Sequence, residues 1–189
     1  MKTVALTGLG DCGKSYSIYQ LAGWLLDNGW RDDSQGLDSE NICQRNDKSY
    51  EDAQKQGEND IQQVFVNSSS GIRILLHAPM DNELLASKLI SNIESLKMMG
   101  KRIDFLITSL RRFDSLYPNG RNIHCKTIQL MNWRCKGDDL LDLDGQEIIQ
   151  IPLLNVKNES DKDRVVEWYN QRAAKLLQIL VENLVENHQ

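Results

Sequence analysis

The sequence predicts an α/β domain in which a mostly parallel sheet lies between layers of helices. Three observations predict this class. Short apolar runs of strand length are interleaved with longer runs of helical periodicity, a glycine-rich turn joins the first strand to the first helix, and a long amphipathic helix closes the sequence. A length of 189 residues suits one compact unit, so we expect residues 1–189 to form a single domain.

The N-terminal third contains one clear strand and one clear helix. Residues 2–7 are predicted to form a short buried strand, and residues 13–27 a helix with apolar side chains at helical spacing. Residues 31–60 are mostly polar, and we expect a mobile insertion with one surface helix near residues 50–55. This insertion is either a solvated loop or a lid that becomes ordered when a ligand or a partner binds.

Beyond residue 60 the predicted strands and helices alternate more regularly. Residues 63–66 and 72–76 are expected to pair as a hairpin, and residues 81–99 to form a helix. The acidic run over residues 138–147 is expected to be a solvated hairpin or loop. The other predicted elements are strands over 103–107, 127–131 and 148–151 and a final helix over 160–185.

Composition and charge exclude several classes of protein. The net charge of -5 argues against general nucleic-acid binding, which needs a basic surface. No apolar run approaches the roughly 20 residues of a membrane span. The N-terminus does not resemble a secretory signal, and the cysteines match no zinc or disulfide framework. We therefore expect a cytoplasmic protein with four free thiols, at Cys12, Cys43, Cys125 and Cys135.

The strongest motif lies between the first strand and the first helix. The residues read Gly8-Leu9-Gly10-Asp11-Cys12-Gly13-Lys14-Ser15, which fits G-x-x-x-x-G-K-[ST] at every defined position. Glycines let the backbone curl so that its N–H groups face phosphate oxygens, and the helix N-terminus adds partial positive charge. Lys14 is expected to bridge the β- and γ-phosphates, and the Ser15 hydroxyl to ligate Mg²⁺. The predicted nucleotide contacts are Gly8, Gly10, Asp11, Cys12, Gly13, Lys14, Ser15 and Tyr16.

This motif resembles the phosphate-binding loop of the P-loop NTPase superfamily, which implies that superfamily's fold and a bound nucleoside triphosphate. Two further stretches resemble the MinD/ParA-like ATPases. One reads Leu75-Leu76-His77-Ala78-Pro79 and is similar to a strand end that carries Asp-x-Pro in those ATPases, with His77 in the place of the metal-shell Asp. The other reads Leu130-Met131-Asn132-Trp133, and the resemblance implies that Asn132 reads the nucleotide base.

The chain departs from that group at two places. Leu9 stands where the group has a second, signature lysine, and no early strand with an acidic end is recognisable between Trp30 and Asp60. Neutral imidazole is also a poor ligand for Mg²⁺, which prefers oxygen. A histidine that truly replaced the metal-shell acid would weaken metal binding and hydrolysis. The alternative is that His77 is a buried polar residue at a strand end.

Two more residues are candidates for catalysis beside Lys14. Asp81 could supply the missing metal-shell carboxylate, or it could cap the helix that begins there. Arg111 follows a predicted strand, where ligand-binding groups of open α/β sheets lie. It could stabilise a phosphoryl group, or it could belong to a solvated basic turn.

Three functions are compatible with these residues. The first is a Mg²⁺-dependent ATPase that acts as a nucleotide-driven switch, with the 31–60 insertion as the moving part. The second is a kinase that transfers the γ-phosphoryl group to a small molecule or nucleotide. The third is a nucleotide-binding module with little hydrolysis. ATP is expected rather than GTP because the motif Asn-Lys-x-Asp is absent, and the resemblance implies a protein partner or a homodimer.

Overall fold

The computed structural model of the chain describes residues 1–8, 12–37, 48–79, 83–111, 134–136, 140–142, 148–152 and 162–187, with side chains over 1–8, 12–37, 48–79, 84–110 and 171–187. The described strands are β1 (Lys2–Gly8), β2 (Trp30–Asp32), β3 (Gln62–Asn67), β4 (Arg73–His77), β5 (Phe105–Arg111), β6 (Arg134–Lys136), β7 (Leu140–Asp142) and β8 (Ile148–Pro152). The described helices are α1 (Lys14–Asp27), α2 (Tyr50–Lys55), α3 (Glu83–Met98) and α4 (Lys162–Glu186).

Six of these strands form one mixed sheet in the order β2-β3-β4-β5-β1-β8. The strands β4, β5, β1 and β8 are parallel, whereas β3 is antiparallel to both of its neighbours. The predicted α/β class is therefore confirmed. The sheet departs from a fully parallel one at the side where β2, β3 and β4 follow each other as a meander.

Helices cover both faces of this sheet. Side chains alternate between the faces along each strand, so neighbouring residues of one strand contribute to different cores. On one face, Val4 and Leu6 of β1 belong to a core that includes α1 and α4. On the other face, Ala5 belongs to a second core that includes α3. The helix residues of the first core are Ile18, Tyr19, Leu21, Ala22, Leu25, Ala53, Ala173, Leu177 and Val181, and those of the second are Ala86, Leu89 and Leu96.

Most predicted elements are present with small shifts of their ends. All four predicted helices form, the hairpin of β3 and β4 is antiparallel, and the strand predicted over 103–107 continues to Arg111. The short strand β2 was not predicted. Its three residues are too few to show a period-two pattern, and only Trp30 among them is buried. Arg134–Lys136 and Leu140–Asp142 pair as a short antiparallel hairpin, whereas the strand predicted over 127–131 lies outside the described residues.

The polar 31–60 region contains two ordered pieces within its described parts. Its beginning continues β2, and its end contains α2, at the position predicted for a surface helix. Residues 38–47 lie outside the described residues, so the mobility of the insertion stays a prediction. Among the helices that the structure describes, none combines the length and the apolar composition that crossing a bilayer requires.

Candidate functional site

The glycine-rich motif lies at the carboxyl edge of the parallel strands. β1 ends at Gly8 and α1 begins at Lys14, so residues 9–13 connect a central strand directly to a helix. β1 is hydrogen-bonded on both sides, to β5 and to β8. Ligand-binding groups of open α/β sheets lie at this edge of the strands. The fold therefore holds both ends of the motif on rigid, buried elements.

Gly13 makes the turn into α1 in a conformation that favours glycine. Its φ of 90° lies in the left-handed region, where a side chain would be strained. Gly13 is also the N-cap of α1, and it offers no side chain to accept the N–H groups of the first turn. The first turn contains no acidic residue. An anion bound at this helix end would supply the negative charge that the helix dipole favours there.

The side chain of Lys14 folds back toward the end of β1 instead of extending into solvent. Its Nζ donates to the carbonyl oxygen of Gly8 at 3.4 Å and to Sγ of Cys12 at 3.7 Å. Lys14 is only 8% exposed. The residue expected to bridge the phosphates is therefore mostly buried in this structure. Both distances are long for hydrogen bonds to an ammonium group, and a phosphate oxygen would be a stronger acceptor than either partner.

The thiol of Cys12 lies beneath the loop, within the core between α1 and the sheet. The residue is 2% exposed and forms no disulfide. Burial raises the pKa of the Cys12 thiol, and this effect outweighs the opposing influence of the neighbouring Lys14 ammonium. The thiol of Cys12 is therefore protonated. The residue serves the packing of the core at least as much as it serves any ligand that binds at the motif.

Ser15 is hydrogen-bonded to a carboxylate that the sequence analysis did not select. Its Oγ donates to Oδ1 of Asp60 at 2.6 Å. Asp60 is 45 residues further along the chain, so no local spacing connects the two. It immediately precedes Ile61, whose carbonyl oxygen accepts from the N–H of Ala78 at 2.8 Å. This bond fixes Asp60 at the edge where β3 begins and β4 ends.

Asp60 ends a stretch that is fastened to α1, which we name the 48–60 segment. The hydroxyl of Tyr19 donates to the carbonyl oxygen of Lys48 at 2.9 Å, where the segment begins. The ring of Tyr50 meets the rings of Tyr16 and Tyr19 edge to face, with centroids 5.0 and 5.5 Å apart. The ammonium group of Lys48 pairs with Glu58 at 2.7 Å, which closes the segment on itself.

The core also holds the 48–60 segment. Ser49 caps α2 by accepting from the N–H of Asp52, and Ala53 of α2 is completely buried against the core that contains α1. The first helix, the motif serine and the 48–60 segment therefore form one connected unit. Tyr16, predicted as a nucleotide contact, uses its ring for this attachment to Tyr50.

His77 ends β4 and is completely buried. Its register partner on β5 is Thr108, and the partner of Thr108 on β1 is Ala5. His77 is thus level with a residue three positions before Gly8, or about 10 Å along the strand, and it lies two strands away from β1, about another 10 Å. The complete burial of its side chain supports the alternative that His77 is a buried polar residue.

The surroundings of His77 keep its imidazole uncharged. Burial lowers the pKa of His77 to about 3. Its neighbour across the sheet is Gln62, which is 2% exposed. Within the described part of the chain, neither ring nitrogen of His77 has a hydrogen-bonding partner. The side-chain Nε2 of Gln62 has none either. The end of β4 is therefore polar, closed and electrically neutral.

The structure describes only part of the remaining predicted site residues. The backbone of Arg111 pairs with Gly8 across β5 and β1, so this residue is beside the start of the motif, while its side chain is outside the described part. Its catalytic role stays a prediction. The predicted roles of Gly10, Asp11, Asp81 and Asn132 fall on residues outside the described part as well.

The groups around Ser15 suit a hard cation. The described donors are a hydroxyl and a carboxylate, and oxygen is the donor that Mg²⁺ prefers. No group of three or more His, Cys, Asp or Glu side chains arranged for a metal is found among the described residues. Mg²⁺ bound with a nucleotide needs fewer protein groups, because phosphates and water complete its shell.

The chain was compared with family models, with curated proteins and with solved structures, and none of them matches.

Proposed function

We propose that the chain binds a nucleoside triphosphate, ATP in the first instance, with the phosphates at the 8–15 motif. The observation that carries this proposal is the position of Lys14. A strand, a left-handed glycine and a helix N-terminus hold its ammonium group 3.4 Å from the carbonyl oxygen of Gly8 and 3.7 Å from Sγ of Cys12. Phosphate oxygens would be stronger acceptors for this ammonium group than either of those atoms.

The electrostatics of the motif support an anionic ligand. The positive end of the α1 dipole and the Lys14 ammonium group lie together at the carboxyl edge of the sheet, and the first turn of α1 contains no acidic residue. Four phosphate charges would therefore meet fixed positive charge at the end where the backbone N–H groups of the helix also point. The net charge of -5 on the whole chain does not oppose the binding of an anion, because the local electric field at the motif determines that binding.

Mg²⁺ completes the proposed ligand, with the Ser15 hydroxyl as one of its oxygen donors. When bound, the ion neutralises charge on the phosphates and polarises the terminal phosphoryl group. We further propose that the protein hydrolyses the nucleotide and acts as a switch. The connection from Ser15 through Asp60 to the 48–60 segment supports this, because a change at the motif serine would be passed to a segment 45 residues further along the chain.

A second candidate is a nucleotide-binding protein with little turnover. The burial of His77 favours it, since the strand end that carries a metal-shell acid in the MinD/ParA-like ATPases here carries a neutral, enclosed imidazole. Nucleotide affinity would then be the whole function of the motif. Both candidates share the binding step and differ only in phosphate release.

The binding step is tested by calorimetric titration of the wild type and of Lys14→Ala with Mg²⁺ and ATP. We expect Lys14→Ala to weaken the affinity about 100-fold, or about 3 kcal/mol, because a charge-assisted contact to phosphate is lost. Lys55→Ala is the matched control, since Lys55 makes only an exposed ion pair with Asp52. Circular dichroism and thermal unfolding check that each variant is folded. An unchanged affinity in folded Lys14→Ala would reject nucleotide binding at this motif.

Phosphate release on the same samples separates the functions. Release of phosphate without any acceptor supports the ATPase. Formation of ADP together with a phosphorylated product, only when a nucleoside, nucleotide or sugar is added, supports a kinase. Tight binding of Mg²⁺ and ATP without formation of ADP under either condition supports the second candidate.

A further inference from the structure

The carboxylate of Asp60 raises a question of charge that the proposed function leaves open. It accepts a hydrogen bond from Ser15 at 2.6 Å, so a negative group lies at the position where the phosphates and their cation would bind. Toward a nucleotide without a metal ion, this carboxylate is repulsive. Toward a nucleotide with a divalent cation, it is an attractive oxygen ligand.

We propose that Asp60 makes the site selective for metal-loaded nucleoside triphosphates over metal-free ones, as an oxygen ligand of the same ion that Ser15 holds. This inference rests on the proposed nucleotide binding and goes further, because it assigns a ligand and a discrimination. Asp60 takes the part for which the sequence suggested Asp81 or a substituted His77.

The position of Asp60 fits this part in three respects. It is half-buried, so the repulsion and attraction are less screened than on an open surface. The bond between Ile61 and Ala78 fixes its backbone at the sheet edge. The hydroxyl of Ser15 already lies within hydrogen-bonding distance, so one cation can contact both oxygens without a large movement of either residue.

Metal binding at Asp60 also has a consequence for the 48–60 segment. The hydroxyl of Ser15 cannot keep the same geometry toward Asp60 when both oxygens face a cation. The adjustment falls on Asp60, because Ser15 is part of the continuous helix α1. We expect it to alter the exposure of backbone amides near Glu58 and Asp60, which follow the attachment at Tyr19, Tyr50 and Lys48.

The experiment measures ATP affinity with Mg²⁺ and with EDTA, for the wild type and for Asp60→Asn. Asparagine keeps the shape and can still accept from Ser15, but it removes the charge. We expect the gain in affinity that Mg²⁺ gives to fall at least about tenfold in Asp60→Asn, as for other losses of metal-site groups. Affinity in EDTA should stay equal or rise. Asp52→Asn is the control, because this carboxylate of the same segment is exposed and bonded to Ser49.

A second readout uses the unaltered protein. Hydrogen exchange of the amides over residues 57–62 should change when ATP is added with Mg²⁺ and stay as in the free protein when ATP is added with EDTA. Wild-type protein that binds no nucleotide would overturn the proposed function and this inference together. Wild-type protein that binds ATP with Mg²⁺, combined with the same Mg²⁺ gain in Asp60→Asn or with exchange that ignores the metal, would overturn the role of Asp60 alone.

Discussion

The ends of β1 and β4 lie at the same edge of one sheet, and both carry polar side chains in opposite circumstances. After β1, Lys14 and Ser15 have partners within reach, at Gly8 and at Asp60. At the end of β4, His77 and its neighbour Gln62 are enclosed, and the described residues offer no partner to the imidazole. Lys14 is mostly buried as well, but the polar groups at the first end have described hydrogen-bonding partners, and the imidazole at the second end has none among the described residues.

The difference shows which polar residues near a sheet edge are suited to bind a ligand. A group in a hydrogen bond that can be exchanged pays little to meet a phosphate or a cation, because its present partner is replaced by a better one. A buried imidazole without a charge has neither access nor the protonation state to attract an anion. A site in this fold therefore needs a position at the carboxyl edge of the sheet. Access of a ligand to the polar groups decides which strand end provides that site.

The sharpest way to break this comparison is to place a carboxylate at the end of β4. His77→Asp puts an acid into a position with no exposure. We expect a loss of about 3–5 kcal/mol in the free energy of unfolding, the scale of an uncompensated buried charge. Urea unfolding at neutral pH measures it, with His77→Leu as the control that fills the site without polar atoms.

Hydrolysis by the same variant distinguishes the two interpretations of His77. If this histidine stood in the metal shell, His77→Asp would increase Mg²⁺-dependent phosphate release. The buried position predicts no increase at temperatures where the variant is folded. Faster release by folded His77→Asp would show that the end of β4 does reach the nucleotide.

The sequence predicted β1 and α1 well, because an apolar run of strand length and an apolar stripe at helical spacing flank the glycine-rich motif. The pairing of Ser15 with Asp60 could not be predicted. The predicted hairpin of β3 and β4 brings Asp60 to the ligand-binding edge, but its contact with Ser15 also depends on the packing of the 48–60 segment against α1, which no local sequence pattern shows. For His77 the sequence left two alternatives open, since Leu75-Leu76-His77 is equally compatible with a last enclosed residue and a first exposed one.

An effect of intermediate size is expected on the stability of the protein in acid, because His77 is buried. The pKa of His77 is about 3 in the folded protein and near 6.5 without burial, so the unfolded chain binds the proton more readily. Full stability is present above about pH 6.5 and is lost as the pH falls toward 3, by up to roughly 1.4 kcal/mol per pH unit from this residue. Urea unfolding at several pH values between 7.5 and 4.5 measures this slope.

The variant His77→Leu isolates that contribution from the other histidines and from the carboxylates. It should be at least as stable as the wild type at neutral pH, because two buried nitrogens without described partners are removed. Its stability should also fall less steeply in acid. Parallel slopes for the two proteins would mean that the imidazole is hydrated or paired in solution.

The smallest expected effect concerns Cys12, which is buried although it belongs to the 8–15 motif. Burial raises the pKa of its thiol and limits access, so alkylation by iodoacetamide at pH 8 should be slower in the folded protein than in urea. Peptide mass spectrometry follows Cys12 separately from the other three cysteines. Equal rates in both states would show that reagent reaches Cys12 readily in the folded protein, and the place of this thiol in a closed core would then have to be abandoned.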